Sequence, residues 1–328
     1  MQVMVIVVSK TWERLGPCWA ALEGQSFKDF QVVFLDYGST QSVSKQVKSS
    51  LLSNEGRVLM INAHDTTINQ AWNRALERIN NLVPRDKPTY VAFLDDESRP
   101  DSIWLQSLVS AGDDADPKVG MFASKVLAKC QCRLRSAGHE LVPWGRPDRA
   151  YKSNVADQLP PGQPLCPCQV GAMFRWSLIE EVLVHEAFSD EEIEHYWSCF
   201  DHGIKARILG WRCNLVPTAV VVDAGFDAHS RDPSDSDDRA ERLKQESRLA
   251  LTLKYVPCEQ LPEALIRQLS DSTAKMLKRG KGAILAEAFN NLGQKRESLL
   301  KKRKYWAQIA AERGTGTIML DETNVPNP

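Results

Sequence analysis

Three consecutive acids, Asp95-Asp96-Glu97, directly follow the apolar run Tyr90–Leu94. Carboxylates set side by side after a buried strand repel one another unless a cation neutralises them. Oxygen ligands of this kind suit Mg²⁺ or Mn²⁺, which bridge readily to a diphosphate. The competing reading is a solvated acidic loop capping a helix near Asp101. A second acid, Asp36, closes the apolar run Gln31–Leu35 and precedes Tyr37-Gly38-Ser39-Thr40. A carboxylate so placed can accept hydrogen bonds from a nucleotide base or ribose; by itself it also makes an ordinary turn and helix cap. If both acids sit at carboxyl ends of neighbouring strands, one ligand touches both.

Cysteine supplies a different chemistry. Of eight cysteines, Cys130 with Cys132 and Cys166 with Cys168 form two C-x-C pairs. Brought together they are a candidate structural zinc site; kept apart they are reduced thiols near a loop. Their spacing is not that of a small secreted disulfide scaffold. The opening run Val3–Val8 is too short to span a bilayer and lacks a basic lead and a cleavage site, so a cytoplasmic protein is expected. A net charge of −1 across 328 residues argues against a general nucleic-acid-binding surface.

The elements that must position these groups follow from periodicity. Val3–Val8, Gln31–Leu35, Val58–Ile61 and Tyr90–Leu94 read as strands. Segments at about 13–23, 42–52 and 69–80 read as helices between them. That alternation predicts βαβ units and a largely parallel sheet, with ligands beyond the strands' carboxyl ends. From Ala123 to Gly171 prolines and glycines accumulate, which reads as a long irregular excursion. Helices near 176–184 and 200–209 and a strand at 219–222 resume the pattern. The acidic passage 232–241 reads as a boundary. Residues 1–234 are then an α/β domain, 235–312 a helical region that separates from it, and 313–328 a frayed tail.

With the motifs in this order, the chain resembles family 2 glycosyltransferases of the GT-A fold, particularly bacterial rhamnosyltransferase-like members. Val7-Val8-Ser9 and Gln25-Ser26-Phe27 resemble the family's opening strand, helix and turn. Asp36 to Thr40 matches its D-x-G-S-T element, and Asn69, Ala71 and Asn73 resemble the helix after its third strand. Phe93 to Glu97, ending in Arg99-Pro100, is similar to its D-x-D metal motif, with Glu97 in the final position. Ser136-Ala137-Gly138 and Gly145-Arg146 resemble its central loop. Gly171-Ala172-Met173-Phe174-Arg175, Gly210-Trp211-Arg212 and Val216-Pro217 complete the series.

The resemblance implies a Rossmann-like, mostly parallel α/β sheet and transfer of a sugar from a UDP- or dTDP-type donor to a glycan or lipid-linked acceptor. It implies nucleotide contacts from Ser9, Asp36, Asn73, Asp95 and Asp96. Asp95 and Glu97 are the expected ligands of Mn²⁺ or Mg²⁺, and Gly171, Ala172 and Trp211 the expected donor and acceptor pocket. One position departs. Where relatives carry E-D-x-D before Gly-Trp, this chain reads Ser198-Cys199-Phe200-Asp201. Asp201 is then the expected catalytic base, with Glu194 second and Glu191 and Glu192 nearby. Some relatives place a metal-binding His after the last core strand; here Asp223 follows it, and His229 comes later. The altered acids also fit a non-catalytic nucleotide-sugar or glycan-binding relative. A nucleotidyltransferase fits less well, because residues 9–16 hold one glycine where a triphosphate loop needs several. Basic groups at Lys275–Lys281 and Lys295–Lys304, beside Leu285, Phe289, Leu292, Leu299, Leu300, Tyr305 and Trp306, suggest peripheral contact with an anionic membrane face or a partner.

Overall fold

The computed structural model describes residues 1–9, 11–38, 41–64, 66–82, 84–142, 146–150, 153, 155–159, 163–193, 195–224, 236–278 and 282–315. The first half runs β1 (Val3–Ser9), α1 (Trp12–Glu23), β2 (Phe30–Asp36), α2 (Gln41–Lys48), α3 (Leu51–Asn54), β3 (Val58–Asn62), α4 (Ile68–Asn80), β4 (Tyr90–Asp95), β5 (Ser98–Pro100) and α5 (Trp104–Asp114). There follow β6 (Val119–Ala128), β7 (Leu134–Ser136), β8 (His139–Val142), β9 (Arg146–Ala150), β10 (Ala172–Arg175), α6 (Trp176–His185), α7 (His195–Ile208) and β11 (Arg212–Asp223). The chain continues in α8 (Ser236–Tyr255), α9 (Leu261–Lys278) and α10 (Gly282–Arg313).

The main sheet has the order β3-β2-β1-β4-β10-β6-β11-β5, with β7 on β6. The run β3-β2-β1-β4 is parallel throughout, as is β6 with β11, while β10 is antiparallel to both its neighbours. Alternate residues of β1 face opposite layers. Val3, Val5 and Val7 pack with Trp19, Leu22 and Trp104 of α1 and α5, and Met4 and Ile6 pack with Trp72 and Leu76 of α4. Burial on both faces explains why these strands read as continuous apolar runs rather than alternating ones.

The segment expected to be irregular contains structure after all. β6 runs ten residues, then β7 and the β8–β9 hairpin fold back before β10 enters the sheet. Its turn-rich composition belongs to the connections between short strands, so local propensity understated the pairing that the sheet supplies.

The C-terminal helices do not stand apart from the α/β domain. Leu249 and Leu251 of α8 and Leu292, Leu299 and Trp306 of α10 share one apolar cluster with Trp72, Phe174, Phe188 and Phe200. The basic residues expected to face a membrane are partly turned inward. Lys302 Nζ pairs with Asp190 at 2.7 Å and Glu192 at 2.8 Å, Lys295 Nζ donates to the Glu192 carbonyl, and Arg303 donates to the Val256 carbonyl. Leu285, Leu292, Leu299 and Trp306 are all buried. Arg296, Lys301, Lys304, Phe289 and Tyr305 stay exposed, so only part of the expected amphipathic surface is used inside the fold. The side chains of 275–281 lie outside the described residues. No described helix is long and apolar enough to cross a membrane.

One consequence of this packing is measurable. His202 of α7 is buried, stacks on Phe188 at 4.2 Å between centroids and contacts the Ser189 hydroxyl at 3.0 Å. Burial pushes its pKa down to about 3, against partial compensation from Asp201. A depressed histidine contributes stability above its unfolded pKa of about 6.5, and that contribution fades as pH falls toward 3. Between pH 6.5 and 4 the loss from this group is on the order of 3 kcal/mol. His202→Leu is expected to flatten the stability–pH curve over that interval in urea titrations. Parallel curves for the two proteins would remove His202 as the cause.

Candidate active site

The strand register gathers the expected residues on one edge. Ser9 pairs with Asp36, Val8 with Asp95, and Asp36 with Asn62, so the carboxyl ends of β3, β2, β1 and β4 finish in one row. Adjacent strands are about 4.8 Å apart, which separates β2 from β4 by roughly 10 Å. A nucleoside diphosphate is long enough to lie across that interval.

Asp36 is held but not sealed. Ser44 Oγ donates to its Oδ2 at 2.9 Å, and His64 Nε2 approaches Oδ1 at 3.3 Å. At the end of β4, Asp95 accepts a hydrogen bond from the Ser98 hydroxyl. Its side chain is accessible but crowded, as on the floor of a cleft, and that crowding raises its pKa despite the bond from Ser98. Asp96 accepts from Ser9 Oγ at 2.8 Å, which ties β1 to the acidic triplet. Partial burial raises Asp96 too, opposed by Ser9 and Arg14.

Two arginines answer the acids, and sequence reading missed both. Arg14 of α1 lies 2.5 Å from Glu97 and 3.5 Å from Asp96. Arg135 of β7 pairs with Asp223 at the end of β11 and adds positive field at Asp95. β5 joins the two acidic regions, since Ser98 pairs with Asp223 across the sheet. Neither arginine stands in a recognisable motif, and the signal for them is geometric, a strand-end acid needing a counter-charge. His229 lies outside the described residues.

Gly171 and Ala172 also reach this edge, because antiparallel β10 begins beside Phe93 near the end of β4. Gly171 has φ +75°, and a Cβ there would stand 2.8 Å from Val221 and 3.0 Å from the Ser124 hydroxyl, so glycine is required. Ala172 helps to line a narrow gap between the buried side chains of Trp72, Phe93, Phe174, Cys199 and His202.

Four expectations change. Trp211 immediately precedes β11, where Arg212 pairs with Val119, the first residue of β6; this is the amino edge of those strands, opposite the acids. Its indole donates to Glu181 at 2.7 Å and packs beside Lys118, so it is no part of the pocket. Asn73 spends its amide on backbone, donating to the Ser189 carbonyl at 2.8 Å and accepting from the Ser189 amide at 3.0 Å. With Asn69, which binds the Asp190 and Ile193 carbonyls and the Ser198 hydroxyl, it fastens α4 to the loop before α7. Asn73 is thus a positioning residue for that loop rather than a nucleotide ligand.

Asp201 is the third correction. Its side chain is fully buried; Oδ1 accepts from Tyr255 at 2.6 Å and Lys254 at 2.9 Å, while Oδ2 pairs with Lys205 at 2.7 Å. Burial works against its charge, but the two lysines outweigh it and hold its pKa below the ordinary carboxylate range. A carboxylate so buried and so tightly paired with two lysines is poorly placed to take an acceptor's proton. Glu194 lies outside the described residues; Glu191, exposed on the preceding loop, accepts from Gln70 at 3.0 Å.

The last correction concerns zinc. Cys130 and Cys132 are exposed at the β6–β7 turn and interact with each other, whereas Cys166 and Cys168 neighbour Cys199 and His139. The two pairs do not meet. Among the described residues no group of three or more His, Cys, Asp or Glu is arranged to hold a metal ion. A divalent ion at the acidic triplet would need fewer protein ligands, because Mg²⁺ commonly takes one or two carboxylates and completes its shell with phosphate and water. The hard oxygens of Asp95 and Glu97 fit that requirement.

Comparison with known proteins agrees with this architecture. The TarS 1–349 structure from S. aureus in complex with UDP-GlcNAc superimposes with a TM-score of 0.57 at 14% identity, over 96% of this chain and 90% of that one. The structure of GalNAc-T7 with UDP, GalNAc and Mn²⁺ gives a TM-score of 0.53 at 11% identity, over 83% of this chain and 54% of the other. Likeness at such identities establishes the GT-A fold. No curated protein sequence matches. A family profile for Glycosyl transferase family 2 matches residues 3–181, more than half of the chain. This chain belongs to glycosyl transferase family 2.

Proposed function

We propose that the protein transfers a sugar from a nucleoside-diphosphate donor to a hydroxyl acceptor on a glycan or lipid-linked chain, with inversion. The observation that carries this reading is the single row formed by Asp36, Ser9 and Asp95 at the carboxyl edge of three adjacent strands. Asp36 takes the nucleoside, and the diphosphate lies toward Asp95 and Glu97. Those two acids would hold Mn²⁺ or Mg²⁺, which when bound supplies charge neutralisation for the leaving diphosphate. Ser9 fixes Asp96. The acceptor's proton goes to the acidic loop before α7, where Glu191 is exposed and Glu194 follows, since Asp201 is committed to lysines.

Asp36→Ala tests the assignment directly. Loss of a charged hydrogen bond worth about 1.5–3 kcal/mol weakens binding by about ten- to a hundredfold. Calorimetry with UDP and dTDP should show that loss for the free diphosphates as well as for the full sugar donors. An unchanged affinity for both diphosphates would end this reading of Asp36.

A specific observation favours a second reading, in which the protein binds a nucleotide sugar without turning it over. Cys199 stands where the family carries an acid, and the remaining Asp201 is sequestered. Tight donor binding with no nucleoside diphosphate released across a panel of acceptors would establish it.

A further inference from the structure

We propose that Arg14 is a built-in competitor for the divalent ion at the acidic triplet: its guanidinium must leave Glu97 before that carboxylate can serve Mn²⁺ or Mg²⁺, so this one residue sets how tightly the protein holds the metal. The inference deepens the reading above and rests on its assignment of Asp95 and Glu97 as metal ligands. Arg14 Nη2 lies 2.5 Å from Glu97 Oε2, and Nε lies 3.5 Å from Asp96 Oδ1, so a single guanidinium spans two of the three acids. The other two carboxylates have neutral partners as well: the Ser9 hydroxyl donates to Asp96 Oδ2 at 2.8 Å, and the Ser98 hydroxyl donates to Asp95. Among the described residues, Arg14 is the one cation paired with Glu97.

The position of Arg14 is built into the chain. It lies in the first turn of α1, where the helix dipole opposes a positive charge. Nothing in α1 calls for a cation there; the acids across the cleft do. The helix is also fastened at its other end to the chain just beyond those acids. Buried Gln25 donates to the Asp101 carbonyl at 2.7 Å and accepts from the Leu105 amide at 3.0 Å, while the Ser26 amide donates to the Ser102 carbonyl at 2.8 Å. These bonds fix the direction of α1 and, with it, the approach of Arg14 to the turn between β4 and β5.

Exchange is the way this pair opens. Arginine keeps its charge at any ordinary pH, so Glu97 is freed only when another cation takes the place of the guanidinium. Both partners are partly exposed, which leaves the pair reachable from solvent and gives the guanidinium somewhere to go. An exposed ion pair is weakly held, and a divalent ion draws on two charges where Arg14 offers one. Arg14 therefore opposes metal binding twice, by occupying an oxygen of Glu97 and by repelling a second cation beside it. Removing its charge should tighten the site, whereas a residue that merely braces the acids would loosen it on removal.

The test titrates the full chain with Mn²⁺ alone at fixed ionic strength and reads the free ion by electron paramagnetic resonance. Arg14→Met should bind Mn²⁺ more tightly than wild type by roughly tenfold, the scale on which one neighbouring charge repels a divalent ion at the dielectric of water. Arg14→Lys, which keeps the charge, should stay near wild type. Most of the gain should vanish in Arg14→Met, Glu97→Gln, because the carboxylate that the exchange frees is gone. Equal and measurable affinity in wild type and Arg14→Met would overturn the proposal while leaving the metal assignment standing. Weaker binding in Arg14→Met would overturn it too, by making Arg14 a brace for the acids. No Mn²⁺ bound by either protein would take down the metal assignment together with the proposal. If the methionine variant does not fold, Arg14→Gln, which keeps hydrogen-bond donors without the charge, gives the same comparison.

Discussion

Lys254→Met is expected to cost the protein about 3–5 kcal/mol of folding free energy, the usual penalty for removing one partner of a buried ion pair. Lys254 has no exposed surface and its ammonium contacts Asp190 at 2.6 Å, Asp201 at 2.9 Å and Glu186 at 2.9 Å. Without it, Asp201 keeps Lys205, and Asp190 keeps the partly exposed Lys302 at 2.7 Å and the field of Lys205. The cost arises from buried carboxylates losing compensation and not from lost apolar area, since methionine fills similar space. Asp201→Asn in the same chain should therefore recover part of the loss, and a double-mutant cycle in urea measures the coupling. The sign with pH follows from Asp190 and Asp201, whose pKa values are lowered by these lysines against the effect of burial. Depressed carboxylates contribute stability above their unfolded value near 4, and it is lost as pH falls below that value. The wild type should thus lose more stability than the double variant on acidification below pH 4. A Lys254→Met protein within about 0.5 kcal/mol of wild type, the range of an ordinary surface change, would refute this account.

That network also explains what was legible in the sequence and what was not. Periodicity located Val3–Val8 and Tyr90–Leu94 because strands buried on both faces are continuous apolar runs. It located Asp36 and Asp95 as strand-end acids for the same reason. The helix expected over 42–52 is broken instead into α2 and α3, with Ser50 capping the second through its side chain, a stop signal that apolar spacing alone does not weigh. Trp211 and Asp201 were misassigned because a motif gives order along the chain, not which edge of the sheet or which side of a helix its residues occupy. Trp211 falls at the amino edge through the register of β11 on β6. Asp201 turns from the pocket toward Lys205, Lys254 and Tyr255, two of which come from α8, more than fifty residues away. No local pattern announces a lysine whose partners lie on other elements. Within the cationic run near the C-terminus the same holds for two residues: Lys302 and Arg303 satisfy interior acceptors rather than solvent.

Asp95→Asn is expected to lower the rate of sugar transfer by about a hundredfold or more, the scale set by removing one preorganised group that answers charge at a reacting centre. Asp95 sits at the end of β4, crowded enough that its pKa is raised and accessible enough to meet a ligand. Asparagine keeps the shape and the bond to Ser98 but removes the charge that a divalent ion needs. Glu97→Gln should act in the same direction, raising the donor KM and the concentration of Mn²⁺ required for half-maximal rate. A structural role for the triplet makes a different forecast. If Asp96 and Glu97 serve only as counter-charge for Arg14, at 3.5 Å and 2.5 Å, then removing both sides of the pair should be nearly harmless. The Arg14→Met, Glu97→Gln protein separates the two cases. A ligand role leaves it as impaired as Glu97→Gln alone, because neutralising Arg14 cannot restore a lost carboxylate. Recovery of wild-type turnover in the double variant, with unaltered dependence on Mn²⁺, would assign Glu97 to Arg14 and take it out of the chemistry.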